Sequence, residues 1–228
     1  MVFNIRDLCL QYYLPQPVTH LQGPLSKLAS KSLVTKSVLS FWEAKLRDEA
    51  SCLQSLIYFN PQFMSLNKPH PLWLTAGSSP YEVIKARVQA TMLSGRYRTE
   101  LLCSHWSQNK AGSCLLRSCS EQQTHEDLTH ILRDCPHLEE TRTALKLFTT
   151  RYTKKVPDAV AQLVHELCDP AHPLFIQFLV DCSVLPSVIL FNQHLGPDAH
   201  FHLFHITRTW CYSLHRERLK ALGIWLKY

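Results

Sequence analysis

Residues 112–136 read GSCLLRSCSEQQTHEDLTHILRDCP, and the rest of the chain is best read outward from this stretch. Four residues separate Cys114 from Cys119, ten separate Cys119 from His130, and four separate His130 from Cys135. Two thiolates on a short turn, followed by an imidazole and a thiolate at the end of a helix, can converge on one tetrahedral ion. Three sulfurs and one nitrogen suit zinc, with bonds of about 2.3 Å and 2.0 Å respectively. The Cys-x4-Cys step is at the loose end of the usual range. On spacing alone, ordinary buried cysteines beside a solvent-facing histidine remain the competing reading.

Local signals favour the metal. Thr124, with Asp127 three residues on, can cap a short helix whose apolar residues are Leu128, Ile131 and Leu132. His130 then rides on that helix, and Pro136 stops it just after Cys135. His125 is an alternative ligand, but it lies close behind Cys119 and at the helix start, so the spacing favours His130.

Beyond this loop the chain reads as mostly helix. Glycine is scarce at six residues of 228, prolines fall between apolar-periodic runs, and β-type alternation is rare. Residues 1–30, with Pro15, Pro17, Gly23 and Pro24, read as an irregular N-terminal segment. Residues 31–228 read as a compact helical domain into which the zinc-organised loop is inserted. Val38, Trp42, Leu46, Ala50, Leu53 and Ile57 make a helical stripe. Ser79-Pro80-Tyr81-Glu82 is a helix start with a serine cap and a glutamate completing a capping box, and the helix is expected to run past Gly95 towards Leu101. Later stripes occupy residues 138–152, 157–167, 173–182, 185–195 and 198–222.

Charge and composition bound the function. The excess of 24 basic over 18 acidic residues is modest, so any affinity for phosphate depends on clustering. One cluster comprises Lys85, Arg87, Arg96, Arg98 and Lys110, with Arg117 and Arg133 in the loop itself. A second comprises Arg208, Arg216, Arg218, Lys220 and Lys227. The plain alternative for both is a solvated helix face. Nine scattered cysteines without a secretory signal suggest a reducing, intracellular setting, nucleus or cytoplasm. The most apolar stretch, residues 173–191, carries Gln177, Asp181 and Pro186, which argues against a membrane span.

Three longer segments carry a resemblance. Residues 38–73 (VLSFWEAKLRDEASCLQSLIYFNPQFMSLNKPHPLW), residues 79–107 (SPYEVIKARVQATMLSGRYRTELLCSHWS) and the Cys/His stretch resemble the C-terminal tail of non-LTR (LINE-type) retrotransposon reverse transcriptase polyproteins. The run LFHITRTWCYSLHRERLKALGIW, residues 203–225, is similar to how several such polyproteins end. The resemblance covers the chain from about residue 30 onward. It implies a helical tail whose Cys/His motif, here Cys114, Cys119, His130 and Cys135, binds zinc and contacts nucleic acid. It also implies a basic approach through the segment bearing Arg96 and Arg98, with a reverse transcriptase domain as partner.

The polymerase itself is missing from the pattern. Holding two magnesium ions on a primer end needs paired aspartates, and the eight aspartates here include no adjacent pair. Nor does the chain carry the His-x-Glu and Pro-Cys-x-x-Cys set of a zinc deaminase, although Glu121 and Glu126 lie near the loop. There is no Gly-Lys phosphate loop either. The expectation is therefore a non-enzymatic, zinc-dependent RNA- or DNA-binding module without a small-molecule substrate. Arg96, Arg98, Lys110, Arg117 and Arg133 would meet phosphates, and Tyr97 or Trp106 would stack on an unpaired base. Its rival is a helical docking domain in which zinc is only a staple, or an inert remnant of an element.

Overall fold

Ten α-helices and no strand occupy the described residues of the computed structural model, in keeping with the mostly helical reading. Those residues are 5–14, 26–61, 66, 68–107, 111–116, 119, 124–195 and 198–224, with the side chains of 191–195, 198 and 199 left aside. The chain divides into two units, residues 1–54 with 60–69, and residues 55–59 with 70–228.

The first unit holds α1 (Ile5–Gln11) and α2 (Lys27–Ser51). A helix thus lies within the stretch read as irregular, and α2 runs across residue 30; residues 15–25 are outside the described set. Ser26 caps α2, its hydroxyl accepting from the Ala29 amide at 3.2 Å. None of the 25 residues of α2 is buried. Tyr12 meets Phe41 edge to face at 5.0 Å, and Glu43 accepts the Leu66 amide at 2.9 Å.

The second unit is built round one long helix. It contains α3 (Pro71–Leu74), α4 (Pro80–Leu93), α5 (Glu100–Ser104), α6 (Glu139–Thr153), α7 (Asp158–Leu167), α8 (Phe175–Val180), α9 (Pro186–Leu195) and α10 (Asp198–Ala221). In α10, Leu203, Phe204, Ile206, Thr207, Trp210, Cys211 and Leu214 are all fully buried. Their three- and four-residue spacing puts them on a broad inward face that packs on α4, α6, α8 and α9. Trp210 meets Phe175 edge to face at 5.7 Å and donates its indole N–H to Thr149 at 2.9 Å. Removing that indole from water and leaving its N–H paired is worth more than burial of the ring alone.

Two buried cations fasten α10, so the solvated-face alternative fails for Arg208 and Arg218, whereas Arg216 and Lys220 are exposed. Arg208 is fully enclosed. Its Nε donates to Glu82 at 3.2 Å, one Nη to the Thr75 hydroxyl at 2.6 Å and the other to the Thr75 carbonyl at 3.1 Å. Arg218 is likewise buried, against Glu126. Lys85, from the first basic cluster, is buried too and donates to Glu82 at 2.8 Å. Glu82 therefore serves these cations rather than a capping box, and the Ser79 side chain makes no capping bond. Burial alone would raise the Glu82 pKa, but Lys85, His205 and Arg208 together hold it below the ordinary carboxylate value.

α4 stops at Leu93 rather than continuing to Leu101. Gly95 adopts φ +60s geometry at φ 65°, and a Cβ there would lie 2.1 Å from the Ser55 carbonyl oxygen. The left-handed residue ends the helix and lets residues 55–59 pass against it. A fresh helix, α5, starts after Thr99, whose hydroxyl accepts the Leu102 amide at 3.1 Å.

Candidate metal centre

The Cys/His loop sits between α5 and α6 and is pinched at its neck. Gly112 (φ 71°) turns the chain in, Ser113 and His125 form an isolated antiparallel bridge, and two bonds close it. The Cys114 amide donates to the Thr124 carbonyl at 2.9 Å, and the Glu126 amide donates to the Gly112 carbonyl at 2.9 Å. A turn then brings the Cys119 amide to the Leu116 carbonyl at 2.8 Å. The far arm is capped by Asp127 instead of Thr124: its carboxylate accepts the His130 amide at 2.6 Å.

The last two candidate ligands are brought together by an unusual turn. In an α-helix, residues five apart point about 140° away from each other. Here His130–Asp134 is a π-helical turn, and the Cys135 amide donates to the His130 carbonyl at 2.7 Å. The wider turn brings position 135 back towards the side of position 130. Ile131, Leu132 and Leu138 anchor it in the core.

Cys114, Cys119, His130 and Cys135 are all buried, and their ligand atoms lie within 4.8 Å of one another. Cys119 Sγ stands 3.5 Å from His130 Nε2 and 3.6 Å from Cys135 Sγ. Tetrahedral bonds to zinc require about 3.5 Å between nitrogen and sulfur and about 3.8 Å between two sulfurs. The four side chains therefore form a cluster of the right size and chemistry for a metal ion. His125 is exposed on the neck and is not part of it.

The electrostatics fit the same use. Burial, with Cys119 alongside, pushes the Cys135 thiol up to about 11, and burial pushes Cys114 up as well. Without a cation these thiols stay protonated; a bound cation would stabilise the thiolates instead. Burial holds His130 below its ordinary value despite nearby Glu126, Asp127 and Asp134, which keeps a neutral imidazole ready to ligate.

A carboxylate that a catalytic site would want as base is committed elsewhere. Glu126 is fully buried, accepts the Glu100 amide at 2.9 Å and the Arg218 Nε at 3.2 Å. Arg218 in turn lies over the Tyr97 ring, 5.8 Å from its centroid. This chain of contacts ties the neck of the loop to α5 and α10. Arg218 was legible only as one more basic residue, because nothing in its spacing marks a partner 92 positions away.

The proposed nucleic-acid contacts fare unevenly. Arg96 and Arg98 are both exposed, and Trp106 is 75% exposed. Tyr97 is a correction: it is only 7% exposed, and its hydroxyl is bonded to His215 Nδ1 at 3.0 Å. Burial pushes its phenol up to about 12, and no ring face is left for a base. Arg133 is exposed but paired with Asp134, at 2.7 Å from Nε. Lys110 and Arg117 lie outside the described residues, as does Glu121. No helix among the described residues is long and apolar enough to cross a membrane. Comparison with models of protein families, with curated proteins and with solved structures found no match.

Proposed function

We propose that this chain is a zinc-dependent nucleic-acid-binding module without catalytic activity of its own, of the kind found in the tail of non-LTR retrotransposon reverse transcriptases. The observation that carries it is the convergence of Cys114, Cys119, His130 and Cys135 in one buried cluster. Three thiolates and an imidazole, enclosed and with the neighbouring Glu126 committed to Arg218, suit a structural zinc better than a hydrolytic one, which keeps a position open for water.

Zinc would fix the loop between α5 and α6, and the exposed Arg96 and Arg98 just before α5 would take phosphates. Trp106, following α5, would offer a stacking face for an unpaired base. Phosphate contacts make affinity fall with salt in proportion to the number of charges neutralised, with a slope of about −0.7 per phosphate on a single strand. The test is a titration of single-stranded RNA and DNA at several salt concentrations. Arg96→Ala/Arg98→Ala should flatten the slope by about 1.4, and Trp106→Ala should weaken binding to single strands at every salt concentration. An unchanged slope sinks the role given to the two arginines.

A docking domain is the second reading, and a separate observation favours it. In α2 no residue is buried, and Leu28, Val34 and Trp42 are exposed, while Arg208, Arg218 and Lys85 are spent inside the fold. A polymerase domain seated on α2 would leave zinc as a staple only.

A further inference from the structure

One buried cation beside the cluster is not accounted for by the fold. Arg142, in the first turns of α6, is 2% exposed. Its Nη2 donates to the carbonyl of Cys135 at 2.5 Å and, with Nε, to Glu139 at 2.7 and 3.0 Å. Its Nη1 is buried without a hydrogen-bond partner among the described residues. A guanidinium carries five N–H donors, so this leaves two of them dry and unused, an arrangement that costs stability unless something else is meant to face them.

The neighbouring cluster supplies what is missing. A divalent ion held by three thiolates and one neutral imidazole carries one net negative charge, and burying such a charge uncompensated is expensive. Glu139, at 61% side-chain exposure, balances Arg142 from the solvent side, where water screens it.

We propose that Arg142 is the built-in counter-charge of the metal centre: a buried guanidinium, fixed on the Cys135 carbonyl, whose unpartnered Nη1 compensates the zinc–thiolate anion. This rests on the zinc reading above. It makes Arg142 a positioning and charge-balancing residue rather than a ligand, and it explains why a helix with an otherwise polar surface commits an arginine to the interior.

The test is competition for zinc between a chromophoric chelator and the full chain as wild type, Arg142→Gln, Arg142→Lys and Glu139→Gln. Glutamine keeps a polar N–H donor but brings no charge, whereas lysine keeps the charge. Zinc affinity should drop about 10- to 100-fold in Arg142→Gln, and about threefold or less in Arg142→Lys. In Glu139→Gln it should hold or tighten, since the guanidinium is then shared with no carboxylate. In cobalt-loaded protein, Arg142→Gln should move the thiolate-to-metal charge-transfer band to lower energy. Equal affinity in wild type and Arg142→Gln overturns the proposal, and so does an equal loss in the Gln and Lys variants, which would mark a purely structural arginine. Should Arg142→Gln fail to fold, the surface variant Glu139→Gln decides: weakened zinc binding there contradicts the counter-charge. A wild type that takes up no zinc removes the metal reading itself, a separate failure.

Discussion

α2 and α10 are helices of nearly equal length, 25 and 24 residues, yet they are held in place by different physics. α10 has an inward face of fully buried side chains and two enclosed arginines. α2 has no buried residue and, apart from the Tyr12–Phe41 and Glu43–Leu66 contacts, is held by its own cap, its backbone bonds and i,i+4 pairs such as Lys45–Glu49 and Arg47–Glu43. Isolated helices are marginal in water unless packed against something. The Cys/His loop adds a third case: two backbone bonds and an isolated bridge pinch its neck, and beyond them four candidate ligand side chains converge. Burial dominates in α10 and local bonds in α2, metal coordination is the proposed counterpart in the loop, and each can be tested separately.

The largest expected effect is at the loop. Structural zinc contributes on the order of 10–16 kcal/mol to its local fold. Stripping it with a chelator should abolish hydrogen-exchange protection at the described amides of residues 112–135, while those of Leu203–Leu214 stay protected. Simultaneous loss in both regions would mean that the loop is not a separate cooperative element. Next comes Arg208→Met, which leaves Glu82 without one of its cations and the Thr75 carbonyl without a donor. A loss of about 3–5 kcal/mol in chemical denaturation is expected, because one partner of a buried pair is removed. A change under 1 kcal/mol would show that hydrophobic burial alone holds α10.

A pH effect of intermediate size should arise where α10 meets Tyr97. Burial, with the Arg218 charge second, pushes His215 down to about 4. The folded state then favours the neutral ring, whereas the unfolded chain takes up a proton near pH 6.5. This contribution is complete above about pH 6.5 and is lost progressively as the pH falls towards 4. Between pH 7 and pH 5 the stability of wild type should fall by about 2 kcal/mol more than that of His215→Gln, which cannot titrate. Parallel pH curves would refute this. The smallest effect belongs to α2: Ser26→Ala should cost about 1 kcal/mol of local helix stability, seen as faster amide exchange in its first turn, and leave the second unit unchanged.

The features that the sequence made legible are those with a local period or a local spacing. The apolar repeat of Val160, Leu163, Val164 and Leu167 marks α7, and the spacing of Cys114, Cys119, His130 and Cys135 marks the cluster. What escaped depends on partners distant in the chain. Gly95 ends α4 because Ser55 passes close by, a contact that no helical period reveals. Tyr97, between two exposed arginines, reads as a surface aromatic, but His215 and Arg218 of α10 close over it. Arg208 and Arg218 read as charge that could lie on a solvated helix face, since a buried cation is identified by its acceptors and those come from other elements. The π turn at His130–Asp134 was hidden for another reason: the residues are those of an ordinary helix, and only the demand that His130 and Cys135 face one point distinguishes the wider turn.

The most direct test of the central claim is the zinc content of the purified chain by native mass spectrometry, beside the Cys119→Ser/Cys135→Ser variant. One zinc per chain in the wild type and none in the variant is the expected result. A folded wild type without zinc, or a variant that retains it, would contradict the assignment of these four side chains as a metal centre.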